Sequence, residues 1–287
     1  MRETQILDRI RKLAQSGYCD KAIIQGIGDD CAILRPAANE DLVLTSDFVL
    51  EGRHFTLKTH TASDIGRKAL ARSLSDLAAM GSEPVFCLIS LAIPAQLASS
   101  WVPGFYKGLL ALAAKYKVTI AGGDLARFDK VIADVMCCGR VPRGEAILRS
   151  GAKPGDRIYV TGELGRSADP RIKAGIALRK LGVSAAMDIS DGLSLDLHRL
   201  CLESQVSADL NANLPIAPGA TIEQALHAGE DYELLFTASP KKKIPKKIGG
   251  LPITPIGIVT ARNPGRVRFN GHLLQPRGFD HFSQNPR

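Results

Sequence analysis

The sequence predicts an α/β (α+β) protein of two domains, with mixed sheets packed by helices. Three observations predict it. Strand-like and helix-like periodicities alternate through both halves of the 287 residues. A Gly-, Pro- and charge-rich stretch, VPRGEAILRSGAKPGD, divides the chain near its middle. A composition of 45% hydrophobic and 23% charged residues is that of a globular chain able to bury a sizeable core, which excludes dominant disorder. The expected domains are residues 1–142 and 143–287.

Ile6, Ile10 and Leu13 recur at helical spacing and predict an amphipathic N-terminal helix. GIGDDCAIL follows, and then LVLTSDF alternates as a strand does. Ser63 to Met80 reads as a long helix with Ile65, Ala69, Leu70, Leu74 and Leu77 on its apolar face, and Gly81 suits its C-terminal end. Val85 to Ile93 is rich in strand formers, and Gly104 to Lys115 is helical. Val118 to Ala121 predicts a short strand running into Gly122-Gly123-Asp124, and Val131 to Val141 another strand. In the second half, Arg157 to Thr161 predicts a strand, turned at Gly162 and followed by a helix through about Lys180. A short strand then enters MDISDGL, a helix runs through Glu203, and Tyr232 to Ala238 is a strand. Asn270-Gly271 marks a hairpin.

Several functional classes drop out. The longest apolar stretch, Val85 to Ala95, is too short to span a bilayer, and MRETQILDRIRKL mixes charges without a signal-peptide core, so a cytoplasmic protein without membrane attachment is expected. Six cysteines include no CxxC, which argues against a zinc site or disulfide framework and for buried free thiols. Lys and Arg total 37 against 29 Asp and Glu, a net charge of +8 that admits an anionic partner. The basic run Lys241 to Lys247 lacks interleaved aromatics and contains Pro245, so it reads as a solvated loop and no nucleic-acid partner is expected.

The acids carry the chemical signal. Asp29 and Asp30 follow Gly28, Asp47 ends the LVLTSDF run, Asp76 lies among Ala and Leu, Asp124 follows two glycines, and Asp188 and Asp191 bracket MDISD. Carboxylates at strand ends and glycine turns can converge, and converging carboxylates need cations. Hard oxygen donors select Mg²⁺, which brings phosphates with it. Each acid also has an ordinary structural role open to it: Asp191 as a helix N-cap, Asp124 as a turn residue, Asp76 as a solvent-facing helix residue. No P-loop, dinucleotide fingerprint or protein-kinase signature occurs, so an ATP site here is of another kind.

The ordered set GIGDDCAIL, TSDFVLEGRHF, KALARSLSDLAAMG, AGGD, RSGAKPGDRIYVTGELGRSA, MDISDGL, AGEDYELLFT and GFDHF resembles the thiamine-monophosphate kinase family, within the aminoimidazole ribonucleotide synthetase-like superfamily. The resemblance implies an N-terminal ATP- and Mg²⁺-binding domain that dimerises through its sheet, a C-terminal α/β domain, and phosphorylation of thiamine monophosphate by ATP. By motif position it implies metal-binding roles for Asp30, Thr45, Ser46, Asp47, Asp76, Asp124, Asp188 and Asp191. It implies nucleotide contacts from Tyr106, Gly123, Asp124, Arg149 and Ser190, and thiamine phosphate contacts from His54, Glu230 and Phe279. No side-chain general base is implied, because the acceptor phosphate is already anionic. Two departures stand out: GGDLARF replaces the usual GGDTTRG, and Ser167-Ala168 meets Asp169-Pro170-Arg171 without the helix and loop that family members carry there. Another ATP-dependent enzyme of the superfamily, or a non-catalytic protein binding nucleotide or thiamine phosphate, are the alternatives.

Overall fold

The computed structural model describes residues 3–27, 31–97, 99–261 and 263–279. The chain forms two compact units, one of residues 1–77 and 83–144, the other of residues 78–82 and 145–287. Among the described residues, no helix is long and apolar enough to cross a membrane.

The first unit runs α1 (Glu3–Gln15), β1 (Ile23–Gln25), β2 (Ile33–Leu34), β3 (Glu40–Leu50), α2 (Ala62–Ala79), β4 (Glu83–Ile93), α3 (Trp101–Tyr116), β5 (Thr119–Arg127) and β6 (Ile132–Pro142). Its main sheet has the order β3-β6-β4-β5, antiparallel except for the β4–β5 pair, which α3 connects. Helix α2 lies on one sheet face, where the Ser73 hydroxyl donates to the Val135 carbonyl at 2.7 Å. Its buried stripe of Ile65, Leu70, Leu74 and Leu77 is the apolar face expected from the sequence. Helices α2 and α3 meet backbone to backbone: a Cβ on Gly66 would lie 1.9 Å from the Phe105 carbonyl oxygen, and one on Gly108 would lie 1.9 Å from that of Ser63.

Strand β5 differs from the expected short strand. It continues through Gly122, Gly123 and Asp124 to Arg127, paired with β4 from Phe86↔Thr119 to Ile93↔Arg127. Gly123 adopts φ +149, and a Cβ there would lie 2.0 Å from the Ile89 carbonyl oxygen. The glycine is thus required by the approach of a neighbouring strand, and Asp124 is a strand residue, not a turn residue.

The second unit runs β7 (Arg157–Thr161), α4 (Ile172–Leu181), β8 (Ala185–Asp188), α5 (Leu193–Glu203), β9 (Ser207–Leu210), α6 (Ile222–His227), β10 (Leu234–Ala238), β11 (Lys247–Ile248), β12 (Leu251–Thr260), β13 (Val267–Phe269) and β14 (His272–Leu274). The sheet order is β14-β13-β9-β12-β7-β10-β8, with β11 paired to β12. One core packs Ile158, Val160, Met187 and Leu235 of the strands against Leu193, Leu197 and Leu200 of α5. The Asn270-Gly271 hairpin forms, with both residues at positive φ. Strand β10 starts two residues later than expected because Glu230 and Tyr232 are left-handed. Residues 162–171 form an irregular connection before α4, which begins only at Ile172. The cysteines divide: Cys87, Cys137, Cys138 and Cys201 are buried as expected, whereas Cys19 and Cys31 are exposed.

Candidate functional site

In the first unit the site grows from the alternation of β3. Thr45 and Asp47 face α2, and Ser46 faces the opposite side. On the α2 side the Thr45 hydroxyl donates to the Asp76 carboxylate, and the Arg72 guanidinium stands 3.5 Å from Asp47. Arg72 and Asp76 are four residues apart, so one face of α2 presents both. On the other side the Ser46 hydroxyl donates to Asp134 at 2.6 Å. Two adjacent hydroxyls therefore each give their proton to a carboxylate, which leaves their oxygen lone pairs available to a cation.

The register then carries that second face across the sheet. Asp124 and Asp134 are both Cα partners of Ser90, one from each neighbouring strand, so the three side chains stand in a row. Ser90 and Asp124 line a cavity of about 700 Å³ together with Gly123, Tyr106, Leu88 and Met136. Tyr106 is buried, which pushes its phenol well above the ordinary range and keeps it neutral. His54 lies in the turn after β3. Its Nδ1 accepts the Leu50 N–H at 3.0 Å, which leaves the ring proton on Nε2, and its carbonyl accepts from the Lys68 ammonium at 2.7 Å. Asp30 lies outside the described residues.

In the second unit three chain segments are laced together. The Glu230 N–H donates to the Ser190 carbonyl at 2.7 Å, the Tyr232 N–H to that of Ile189 at 2.9 Å, and the Phe279 N–H to that of Asp191 at 3.1 Å. Asp188, Ser190, Asp191, Glu230 and Phe279 are thereby gathered at one end of the sheet. The lacing is tight enough to demand glycine: a Cβ on Gly229 would lie 2.6 Å from the Ser190 carbonyl oxygen, and one on Gly278 would lie 2.3 Å from that of Asp191. Arg149 stands elsewhere, alongside the first residues of β8, where the Leu148 carbonyl accepts from the Ala186 N–H at 3.1 Å. Its side chain is exposed, and its carbonyl accepts from the Ser204 hydroxyl at 2.6 Å.

Asp191 is not the cap of α5, since Gly192 holds that position. Asp196, inside the first turns of α5, holds the preceding segment: one of its oxygens accepts the N–H groups of Ser190, Asp191 and Gly192 at 3.0 to 3.1 Å. Arg199 donates to Asp191 at 2.6 Å and to Asp196 at 3.0 Å. Burial, then the neighbouring Asp191, push the Asp196 carboxyl up to about 6. Sequence reasoning missed Asp134, Asp196, Arg72 and Arg199. The one signal available was the Asp196–Arg199 helical spacing in LSLDLHRL. Among the described residues, no group of three or more His, Cys, Asp or Glu side chains is assembled closely enough to hold a metal ion.

Comparison with known proteins places these features in context. The family description "AIR synthase related protein, N-terminal domain" matches residues 28–141. A thiamine-monophosphate kinase of Buchnera aphidicola subsp. Schizaphis graminum (strain Sg) is 36% identical over 309 residues, covering 92% of this chain and 94% of the relative. That alignment is longer than the chain itself, so the relative carries residues that this chain lacks. The crystal structure of thiamine-monophosphate kinase from Stenotrophomonas maltophilia K279a is similar with a TM-score of 0.81 and 33% identity, covering 96% of this chain and 98% of its own. A structure described as AaThiL complexed with AMPPCP and TMP has a TM-score of 0.74 and 30% identity, covering 98% and 99%.

Proposed function

The chain belongs to the thiamine-monophosphate kinase family, and on that premise we propose that it transfers the γ-phosphoryl group of ATP to thiamine monophosphate, giving thiamine diphosphate and ADP. The observation that carries this is similarity over nearly the full length, at 36% identity across 92% of the chain. The complex of a 30% identical relative with AMPPCP, an ATP analogue, and TMP supports both substrates.

The donor set suits magnesium. Thr45, Ser46, Asp47, Asp76 and Asp124 in one unit, and Asp188 and Asp191 in the other, offer only hydroxyl and carboxylate oxygens, the hard donors that Mg²⁺ selects. Asp30 joins them by motif position. When bound, magnesium neutralises phosphate charge and supports in-line transfer. The remaining work belongs to the chain. Tyr106, Gly123 and Asp124 line the cavity assigned to the nucleotide, and Arg149 and Ser190 are assigned to it by motif position, Arg149 with a guanidinium fork suited to phosphate. By motif position, His54, Glu230 and Phe279 are the residues that receive thiamine phosphate. No side chain needs to remove a proton, because the attacking phosphate oxygen is already anionic.

We assign residues 1–142 to nucleotide and metal binding and to a cytoplasmic homodimer, and 143–287 to the second domain. The dimer is supported by Leu44 and Phe48, which are 61% and 57% exposed on the sheet face opposite α2. Incubation with thiamine monophosphate, ATP and Mg²⁺ should yield thiamine diphosphate by chromatography. Its absence at saturating substrates across a Mg²⁺ series would remove the proposal.

A further inference from the structure

The second unit holds a buried ion pair that the reaction as described does not use. Glu233 is 1% exposed. One carboxylate oxygen accepts the Thr161 hydroxyl at 2.5 Å and the Arg171 Nε at 2.8 Å, while the other meets the second arm of the same guanidinium. Thr161 is fully engaged, since its oxygen also accepts the Leu234 N–H at 2.8 Å. Gly162 closes the arrangement, because a Cβ there would lie 1.9 Å from a Glu233 carboxylate oxygen. The end of β7, the residue that opens α4 and the start of β10 thus converge on one carboxylate.

The backbone of Glu233 belongs to the substrate side. Its carbonyl accepts the N–H of Ile189, the residue between Asp188 and Ser190, at 2.8 Å. The adjoining Asp231 is gripped by the same 162–171 connection: its carboxylate accepts the Gly165 N–H at 3.1 Å, and its carbonyl accepts the Ala168 N–H at 3.0 Å. On either side of Asp231, Glu230 and Tyr232 hold φ of 57° and 54°, a conformation that non-glycine residues keep only when their surroundings enforce it. The acids of the neighbouring segment have separate support, from the three amide bonds to Asp196 and from the Arg199 clamp. The Glu230 segment draws its support from the 162–171 connection and from the 189–190 backbone.

We propose that Arg171 and Glu233 are positioning residues, whose buried pair holds the left-handed Glu230 segment in the shape that receives thiamine monophosphate. This rests on the assignment of Glu230 to that substrate.

The test compares Glu233→Gln and Arg171→Lys with the wild type in steady-state kinetics, with folded fraction measured by thermal melting. Gln keeps the shape and loses the charge, and Lys keeps the charge and loses the two-armed contact. The expected result is a KM for thiamine monophosphate raised roughly tenfold or more, with the KM for ATP within about twofold of wild type. Thr161→Val removes the hydroxyl's two hydrogen bonds, to Glu233 and from Leu234, at nearly constant volume, and carries the same test if the other variants do not fold. A fall in activity that only tracks folded fraction, or equal rises in both KM values, would overturn the positioning role. Wild-type turnover of thiamine monophosphate is read in the same assay, so failure of the kinase assignment is seen separately.

Discussion

Asp124 is exposed on β5, with Ser90 as its cross-strand partner and Gly123 before it. An exposed carboxylate beside a cavity does little for folding, and Asn is nearly isosteric with it. Asp124→Asn is therefore expected to leave the denaturant midpoint unchanged and to lower kcat by on the order of a hundredfold or more at fixed Mg²⁺. Near-normal turnover with unchanged Mg²⁺ dependence would make it an ordinary strand residue. Asp124 was legible in the sequence because an acid after two glycines is conspicuous. Asp134 was not, since its role arises only when the β3–β6 register brings Ser46 beside it. Asp196 was hidden for a similar reason: an acid inside a helix looks solvated until three amides are found turned back onto it.

At the scale of elements, the α2–α3 crossing rests on two reciprocal glycines. Gly108→Ala would press a methyl group against the Ser63 backbone, which cannot rotate away. We expect a loss of about 2–3 kcal/mol in denaturant unfolding; a loss under about 0.5 kcal/mol would mean the helices separate freely. The tail before Phe279 is held by a closed ring of hydrogen bonds. An Arg277 side-chain N–H donates to His227 Nε2 at 3.1 Å, His227 Nδ1 bonds the Ser194 hydroxyl at 2.7 Å, and that hydroxyl donates to the Arg277 carbonyl at 2.7 Å. The ring needs neutral His227, whose pKa is lowered by burial and then by Arg277, against a weaker opposing pull from Glu223 on the same helix. A histidine depressed in the folded state contributes stability that is complete above its unfolded pKa of about 6.5 and is lost as pH falls below it. Between pH 7.5 and 5.5 the melting temperature should fall further for the wild type than for His227→Gln; equal falls would contradict the clasp. The long amphipathic elements were legible from periodicity. Strand β12 was not, because LPITPIGIVT carries two prolines and a glycine, yet it is a central strand, accommodated by a bulge between Pro255 and Gly257.

Across the whole molecule, the exposed Leu44 and Phe48 lie on the same sheet face as Ser46 and Met136. If this face buries itself in a homodimer, Leu44→Glu with Phe48→Glu should shift the protein from dimer to monomer in sedimentation at micromolar concentration; an unchanged dimer would place the interface elsewhere. The α/β class and the ordered motifs are properties of local pattern. Hydrophobic period, turn residues and motif order act over a few residues at a time, so they survive in one dimension. The partners of the site residues do not survive in that way. Thr45 finds Asp76 from 31 residues away, Ser46 finds Asp134 from 88, and Arg171 finds Glu233 from 62. Those pairings follow from strand register and helix placement, which depend on the packing of whole faces. The sequence by itself determined which chemistry the chain carries. Only the tertiary structure decided which groups hold that chemistry in place, because a hydrogen bond between distant residues has no local signature.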